Sequence, residues 1–169
     1  MKKLINEFKD FLTEERAKKS DYDSGGTMTL YHYSNPDENS LTLDPEFGAR
    51  SYSRNDYILA DTPRVFFYVD PEDKERFFAA SKMFTVNVPT NRVYDLTADD
   101  EEYIAAVRHP IYGMRKGMEW NTLLEKIRED YDGVFYDTGT IKVVTWFKSI
   151  KVDRVPPEEQ SRLEGKEER

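Results

Sequence analysis

Short runs of apolar and β-branched residues recur along the middle of this chain. Runs of this length and composition, bounded by turn residues, predict β-strands. Helical stretches separate some of them, but the strict strand–helix alternation of a parallel sheet is absent. We therefore expect an α+β fold. The predicted strands lie at residues 27–34, 64–69, 84–88, 92–96, 134–137, 140–147 and 150–155.

The two ends of the chain differ from its middle. Residues 1–19 carry apolar side chains at helical spacing and predict an amphipathic helix. Residues 20–27, SDYDSGGT, are predicted to be a flexible linker. Residues 156–169 are nearly all charged or polar and are predicted to be a flexible tail. The expected folded domain is therefore 28–155.

Composition excludes several classes of site. The chain has no cysteine, which rules out disulfides and thiolate metal sites, and two histidines are too few for a His-rich zinc site. We expect no bound metal. The net charge of −8 makes nucleic acid an unfavourable partner. No apolar run approaches the roughly 18 residues of a membrane span, so we expect no membrane association.

His32 is the histidine with a definite setting, in the predicted strand TMTLYHYS. Alternation along this strand places Met28, Leu30, His32 and Ser34 on one face and Tyr33 on the other. Such a histidine is either a half-buried core residue with a hydrogen-bonded ring or part of a ligand site. The pattern alone favours the first reading.

A long loop is predicted at residues 43–63, because turn residues interrupt any periodicity there. Loops of this length inside a domain are often functional. Arg50 and Arg54 are suited to phosphates and Tyr57 to covering a base, so the loop is either a lid or a solvated connection. The chain contains no glycine-rich phosphate loop and no serine-hydrolase or zinc-protease motif.

The order of these pieces resembles the ADP-ribosyltransferase fold, in the branch whose first motif is a strand histidine. It is most similar to the ADP-ribosyltransferase-like domains of phage and prophage polyvalent proteins. The resemblance spans about residues 28–155 and implies split, mixed and antiparallel β-sheets with short flanking helices, and NAD as substrate. The matching motifs are LYHYSN (30–35), LTLDPEFGA (41–49), PRVFFYVDP (63–71), VYDL (93–96), YDGVFYD (131–137) and VVTWFKSIKV (143–152).

The resemblance also implies roles for individual residues. His32 matches the histidine that donates a hydrogen bond to the adenosine ribose of NAD, and Ser34 matches a small hydroxyl residue near the nicotinamide. Either Phe67 or Tyr68 would stack on nicotinamide; a slip of one residue exchanges the two faces of the strand, so the two alternatives exclude each other. The remaining predicted NAD contacts are Tyr33, Arg50, Arg54, Tyr57 and Lys142.

The chain departs from the family at the late-strand glutamate, which holds the nicotinamide ribose. The aligned position is Ile141 or, by preference, Lys142. A lysine offers only donors and a charge that opposes a cationic transition state. A carboxylate from elsewhere would have to replace it, and Asp137 and Glu119 are the predicted substitutes. The predicted catalytic set is therefore His32, Tyr68, Asp137 and Glu119, unless transferase activity is lost.

The first fourteen residues, MKKLINEFKDFLTE, resemble the capsid-targeting peptides of proteins packaged in the heads of tailed phages. Leu12-Thr13-Glu14 matches the cleavage motif of such peptides. The alternative is a plain amphipathic helix. These resemblances together imply a phage protein in the virion interior or the host cytoplasm. Its partners would be an unidentified host protein and phage capsid proteins.

Three functions follow from these resemblances. The first is an NAD-dependent mono-ADP-ribosyltransferase that modifies a host protein. The second is a catalytically degenerate protein of the same fold that acts inside the virion or as an effector by binding partners. The third is a toxin that hydrolyses NAD.

Overall fold

The fold is described from a computed structural model of the chain. The described residues are 16–34, 41–46, 62–71, 82–104, 116–137, 139 and 142–165, with only the backbone described for 116–121. The strands are β1 (Asp23–Ser24), β2 (Thr27–Ser34), β3 (Thr42–Leu43), β4 (Val65–Tyr68), β5 (Lys82–Pro89), β6 (Val93–Asp95), β7 (Gly133–Asp137), β8 (Lys142–Trp146), β9 (Ile150–Lys151) and β10 (Asp153–Arg154). The helices are α1 (Lys116–Arg128), α2 (Pro157–Leu163) and the short 3-10 helices Lys19–Tyr22 and Thr90–Arg92.

A large sheet forms the centre of the molecule, with the strand order β10-β5-β2-β4-β8-β7-β6. Adjacent strands in this sheet are antiparallel, except for β6 and β7, which are parallel. Strands β3 and β9 form a separate two-stranded antiparallel sheet. Helices accompany mostly antiparallel sheets, so the predicted α+β class is confirmed. The predicted strands 134–137 and 140–147 pair as the antiparallel hairpin of β7 and β8, with Asp137 opposite Lys142 at its end.

One face of the large sheet, which we call the inner face, packs against the two-stranded sheet. Met28 and Leu30 of β2 are fully buried there, together with Phe67 and Phe135 from β4 and β7. Leu43 of β3 closes the same core from the opposite side. Alternation along β2 therefore places His32 on the face that forms the main core, as the sequence predicts.

The opposite face, which we call the outer face, is covered by the two α-helices. Leu123, Leu124 and Ile127 of α1, which recur at helical spacing in the sequence, pack on the β6–β7 end. Leu163 of α2 packs against the β2–β5 end, where the Gln160 side chain accepts a hydrogen bond from the Met83 amide at 3.1 Å.

The structure corrects two predictions of flexibility. Within the predicted linker 20–27, Gly25 and Gly26 both have positive φ (63° and 91°) and form the two-residue turn that joins β1 to β2. Within the predicted tail 156–169, residues 157–163 form α2. A high content of charged residues did not prevent this helix, because Pro157 suits the first helical position and Leu163 finds a buried partner surface.

Residues 16–22 also belong to the folded body, and we call them the N-terminal clasp. Ala17 and Tyr22 pack against the inner-face core, and the Tyr22 ring lies 5.8 Å from that of Phe135. The remainder of the predicted helix 1–19, including the motif Leu12-Thr13-Glu14, lies outside the described residues.

Candidate functional site

His32 is held by a hydrogen bond that determines its neutral tautomer. Its Nδ1 lies 2.8 Å from the carbonyl oxygen of Phe66, in the neighbouring strand β4. A carbonyl oxygen can only accept, so Nδ1 carries the proton, and Nε2 is the lone-pair nitrogen of the neutral imidazole. Nε2 of neutral His32 could therefore only accept a hydrogen bond from a ligand hydroxyl, whereas the resemblance implies that His32 donates one.

The ring of His32 rests on an aromatic support. Its centroid lies 5.7 Å from that of Phe67, with 62° between the ring planes. His32 is half-buried whereas Phe67 has no exposed surface. Edge-to-face packing of this kind holds a ring in a single orientation. The imidazole is therefore positioned on both sides, by the Phe66 carbonyl and by the Phe67 ring.

The strand register shows which of Phe67 and Tyr68 shares the face of His32. Tyr68 lies opposite Tyr31 on the outer face, so Phe67 is the aromatic residue that lies beside His32. Because Phe67 is completely covered, it supports His32 and offers no open surface for stacking. Tyr68 instead packs against Tyr33, with 5.6 Å between the ring centroids.

Tyr33 serves the outer face as well. Its hydroxyl donates to the Pro71 carbonyl at 2.8 Å, and burial raises the pKa of this phenol far above its ordinary value. The structure therefore does not bring Tyr33 and Tyr68 together with His32, and a ligand on the inner face would not reach them. The reason is the alternation of side chains along a strand, which sends adjacent residues to opposite faces.

Ser34 shares the inner face with His32, two residues further along β2. It is 8% exposed, and its Oγ has no hydrogen-bond partner within the described ranges. Leaving a hydroxyl buried without a partner costs free energy. A ligand that reached His32 would therefore gain by supplying a donor or acceptor to Ser34.

Lys142 and Asp137 lie on the inner face at some distance from His32. Strands are spaced about 4.8 Å apart, and alternate residues along a strand about 6.7 Å. Lys142 lies two strands and one such step from His32, which corresponds to about 12 Å between their Cα atoms. Asp137 is one strand further, at about 16 Å. The two residues face each other across the hairpin, and the fully buried Phe67, Val144 and Phe135 lie in the strands between them and His32, so the described structure does not join them to His32 in one open site.

The Asp137 carboxylate is fully engaged by the backbone. Its Oδ2 accepts from the Ala17 amide at 2.8 Å, and its Oδ1 accepts from the Gly139 amide at 2.7 Å. The main-chain oxygen of Asp137 accepts from Arg16 Nη1 at 2.5 Å. Asp137 is 7% exposed. In this arrangement the carboxylate anchors the N-terminal clasp and the β7–β8 turn and is not presented to a ligand.

The other predicted site residues are not brought to His32 by the described structure. Glu119 belongs to α1, which packs on the outer face, and its side chain is not described. Arg50, Arg54 and Tyr57 lie outside the described residues. In the described part of the chain, no three His, Cys, Asp or Glu residues form a group that could hold a metal ion. No helix among the same residues is long and apolar enough to cross a membrane.

The contacts of the N-terminal clasp were not predicted. Besides the bonds to Asp137, the Lys19 amide donates to Asp95 Oδ2 at 2.9 Å. The Lys19 ammonium donates to the carbonyls of Thr90 at 3.1 Å and Val93 at 2.7 Å. These partners are more than 70 residues apart in sequence, and no local pattern indicates such contacts.

A separate cleft of ≈ 450 Å³ lies between the end of β3 and the α1–β7 connection. Its walls carry both signs of charge, from Asp44 and Glu46 on one side and Arg128 and Lys148 on the other. Among the predicted NAD-binding residues that the structure describes, none lines it, and neither does His32.

The fold was compared with known proteins. No protein-family model matches the chain, and no curated protein sequence matches it. A solved structure, the M. tuberculosis MbcT–MbcA toxin–antitoxin complex, contains a chain that is similar to this one at 14% sequence identity and a TM-score of 0.49. The match covers 91% of this chain and 97% of that chain.

Proposed function

We propose that this chain binds NAD at His32 and Ser34 of β2, as a phage-encoded ADP-ribosyltransferase-like protein acting on a host protein. The observation that carries the proposal is the hydrogen bonding and burial of the His32 ring. Its Nδ1 is committed to the Phe66 carbonyl, so that Nε2 is an acceptor, and the ring is half-buried on the same strand face as Ser34, whose hydroxyl has no hydrogen-bond partner among the described residues. These are the features required to bind a ribose hydroxyl and a second polar group of the same ligand.

The proposed chemistry assigns a limited role to each residue. His32 accepts a hydrogen bond from a hydroxyl of the adenosine ribose, and Ser34 hydrogen-bonds the nicotinamide side. Transfer breaks the bond between nicotinamide and ribose C1′, nicotinamide leaves with the bonding electrons, and a nucleophile of the acceptor protein forms the new bond to C1′. The transition state has oxocarbenium character, so nearby positive charge destabilises it.

The second candidate is a protein of the same fold that binds partners, inside the virion or as an effector, without transferase activity. Two observations favour it. Asp137, the predicted substitute carboxylate, has both oxygens occupied by backbone amides. Lys142 faces it across the hairpin and adds a positive charge where the family has a glutamate. Binding of NAD and transfer from NAD are therefore separate questions for this chain.

Binding is tested by isothermal titration calorimetry with NAD on the full chain and on His32→Asn. The asparagine amide can still donate to the Phe66 carbonyl, but it lacks an acceptor at the Nε2 position. Loss of one ligand hydrogen bond should weaken NAD binding by about tenfold. Thr29→Ala, an exposed position on the outer face of the same strand, is the matched control and should bind NAD like the unaltered chain. Absence of heat at millimolar NAD would refute the proposal.

Catalysis is tested by incubating the protein with labelled NAD and host lysate. Label on a host protein supports the transferase, and nicotinamide release without labelled protein indicates NAD hydrolysis instead. Binding of NAD with neither product supports the second candidate. Asp137→Ala and Glu119→Ala are included because labelling that survives both changes would show that neither carboxylate replaces the missing glutamate.

A further inference from the structure

The cleft between the end of β3 and the α1–β7 connection has an acidic wall, formed by Asp44 and Glu46. Both residues are exposed. Asp44 Oδ1 accepts a hydrogen bond from the Glu46 amide at 2.9 Å, and its other oxygen has no partner among the described residues. Within the same part of the chain, the Glu46 carboxylate makes no hydrogen bond or ion pair. The acidic wall therefore retains acceptors for a cationic group of a ligand.

The opposite side of the cleft is a basic wall, formed by Arg128 and Lys148. The Lys148 ammonium nitrogen lies 2.7 Å from Asp132 Oδ1, which occupies one of its three donors. Arg128 Nη2 lies 3.7 Å from Glu125 Oε2, a distance too long for a hydrogen bond. Neither of these two carboxylates lines the cleft. The basic wall therefore retains donors for an anionic group of a ligand.

Most of the remaining lining of the cleft is apolar. Pro45 and Phe147 are buried, and Pro63 and Tyr131 are half-buried. The Tyr131 hydroxyl donates to Glu101, which does not line the cleft, so the polar end of this side chain already has a partner. Small-ligand sites commonly combine apolar surface with a few polar groups in a volume of about 300–1,000 Å³. The cleft fits this description.

Charge and size define the class of ligand. The lining holds two carboxylates and two cations, so a ligand with charge of one sign would meet repulsion as well as attraction, whereas a ligand with one charge of each sign can satisfy both walls. A sphere with the cleft's volume of ≈ 450 Å³ would be about 9.5 Å across, and an extended chain spans about 3.4 Å per residue. A free amino acid is therefore too short to reach both walls, and a chain of two or three residues has the required length.

We propose that this cleft binds a short apolar peptide of about two or three residues with free ends. The α-ammonium group of the peptide binds the acidic wall, its α-carboxylate binds the basic wall, and its side chains pack on the apolar lining. This second ligand site goes beyond the proposed function and does not depend on it, because His32 does not line the cleft.

The proposal is tested by NMR titration of the isotope-labelled full chain with the tripeptide alanyl-leucyl-alanine. The backbone amides of Glu46, Lys148 and Ser149 should shift at millimolar tripeptide. Acetylation of the peptide ammonium, or amidation of its carboxylate, should weaken binding by about tenfold, because each removes the charge that one wall recognises. His32→Asn should bind the tripeptide like the unaltered chain.

One charge is then removed from each wall. Glu46→Gln and Arg128→Gln should each weaken tripeptide binding by about three- to fivefold, the effect of losing one exposed ion pair. Glu46→Gln should not weaken binding of the acetylated tripeptide any further. Glu129→Gln and Arg154→Gln are the matched controls, since both positions are exposed and neither lines the cleft, and they should bind like the unaltered chain. If a variant does not fold, the modified tripeptides test the same walls on the unaltered chain.

Three outcomes would overturn the proposal. The first is the absence of shifts at Glu46, Lys148 and Ser149 when the unaltered chain is titrated. The second is equal binding of the acetylated and the free tripeptide, because the acidic wall would then select nothing. The third is a shift of these amides by NAD and not by the tripeptide. Calorimetry with NAD on His32→Asn decides the proposed function separately, so failure of either proposal leaves the other standing.

Discussion

Replacement of Asp137 by asparagine distinguishes an anchoring carboxylate from a catalytic one. The native side chain accepts two backbone amides, from Ala17 at 2.8 Å and from Gly139 at 2.7 Å. Asparagine keeps one acceptor oxygen but turns an NH₂ group toward the second amide, so one charge-assisted bond is lost and a buried donor has no partner. Such a loss costs about 2 kcal/mol in the free energy of unfolding.

The expected change is measurable by thermal unfolding. For a chain of this size each kcal/mol corresponds to a shift of about 2–4 °C, so Asp137→Asn should lower Tm by about 4–8 °C. Asp153→Asn is the control, since Asp153 is exposed on β10, and its free energy of unfolding should change by no more than about 0.5 kcal/mol. An unchanged Tm for Asp137→Asn, combined with loss of nicotinamide release from NAD, would refute the anchoring role and make Asp137 catalytic.

Two further predictions concern the β7 end of the sheet. Gly133→Ala would place a Cβ 2.7 Å from the Trp146 ring, and urea unfolding should show a loss of about 2–3 kcal/mol; unchanged stability would contradict the packing of this strand pair. The pKa of the Asp132 carboxyl is lowered from its usual 3.8 by a hydrogen bond from Arg92 and by Lys148. Asp132 therefore adds stability above the unfolded pKa that disappears as the pH falls through the lower folded pKa. Urea unfolding from pH 5 downward should show stability falling below about pH 4, and Asp132→Asn should flatten that fall; an equal fall in both proteins would contradict it.

Elements with a strong local pattern could be predicted from the sequence. Strand β2 has the predicted bounds 27–34, and exposed and buried side chains alternate strictly over its first half, residues 27–30. Helix α1 has a comparable local pattern, since its buried residues Leu123, Leu124 and Ile127 recur at helical spacing. The face of His32 followed from the same alternation.

Features that depend on distant contacts could not be predicted. Residues 20–27 look like a linker because they are polar. Within them, however, the Asp23 carboxylate accepts a hydrogen bond from the hydroxyl of the distant residue Thr90. The sequence shows that Asp137 lies at the end of a predicted strand, which makes it a candidate catalytic carboxylate, but it does not show what the side chain contacts. Its true partner, the Ala17 amide, is 120 positions away in sequence. The same limit applied to the choice between Phe67 and Tyr68, which the pairing of β2 with β4 decides.

Lys19 also protects an edge of the sheet. Strand β6 is the last strand in the order, and its Arg92 and Leu96 neighbours direct their bonds toward β7. The Val93 carbonyl lies between them and faces away from β7, where the Lys19 ammonium binds it. An uncovered edge strand invites pairing with strands of other molecules, and a lysine at that edge is a common defence. Release of the N-terminal clasp would therefore make the protein more prone to self-association, which gives the docked clasp a role in solubility independent of any ligand.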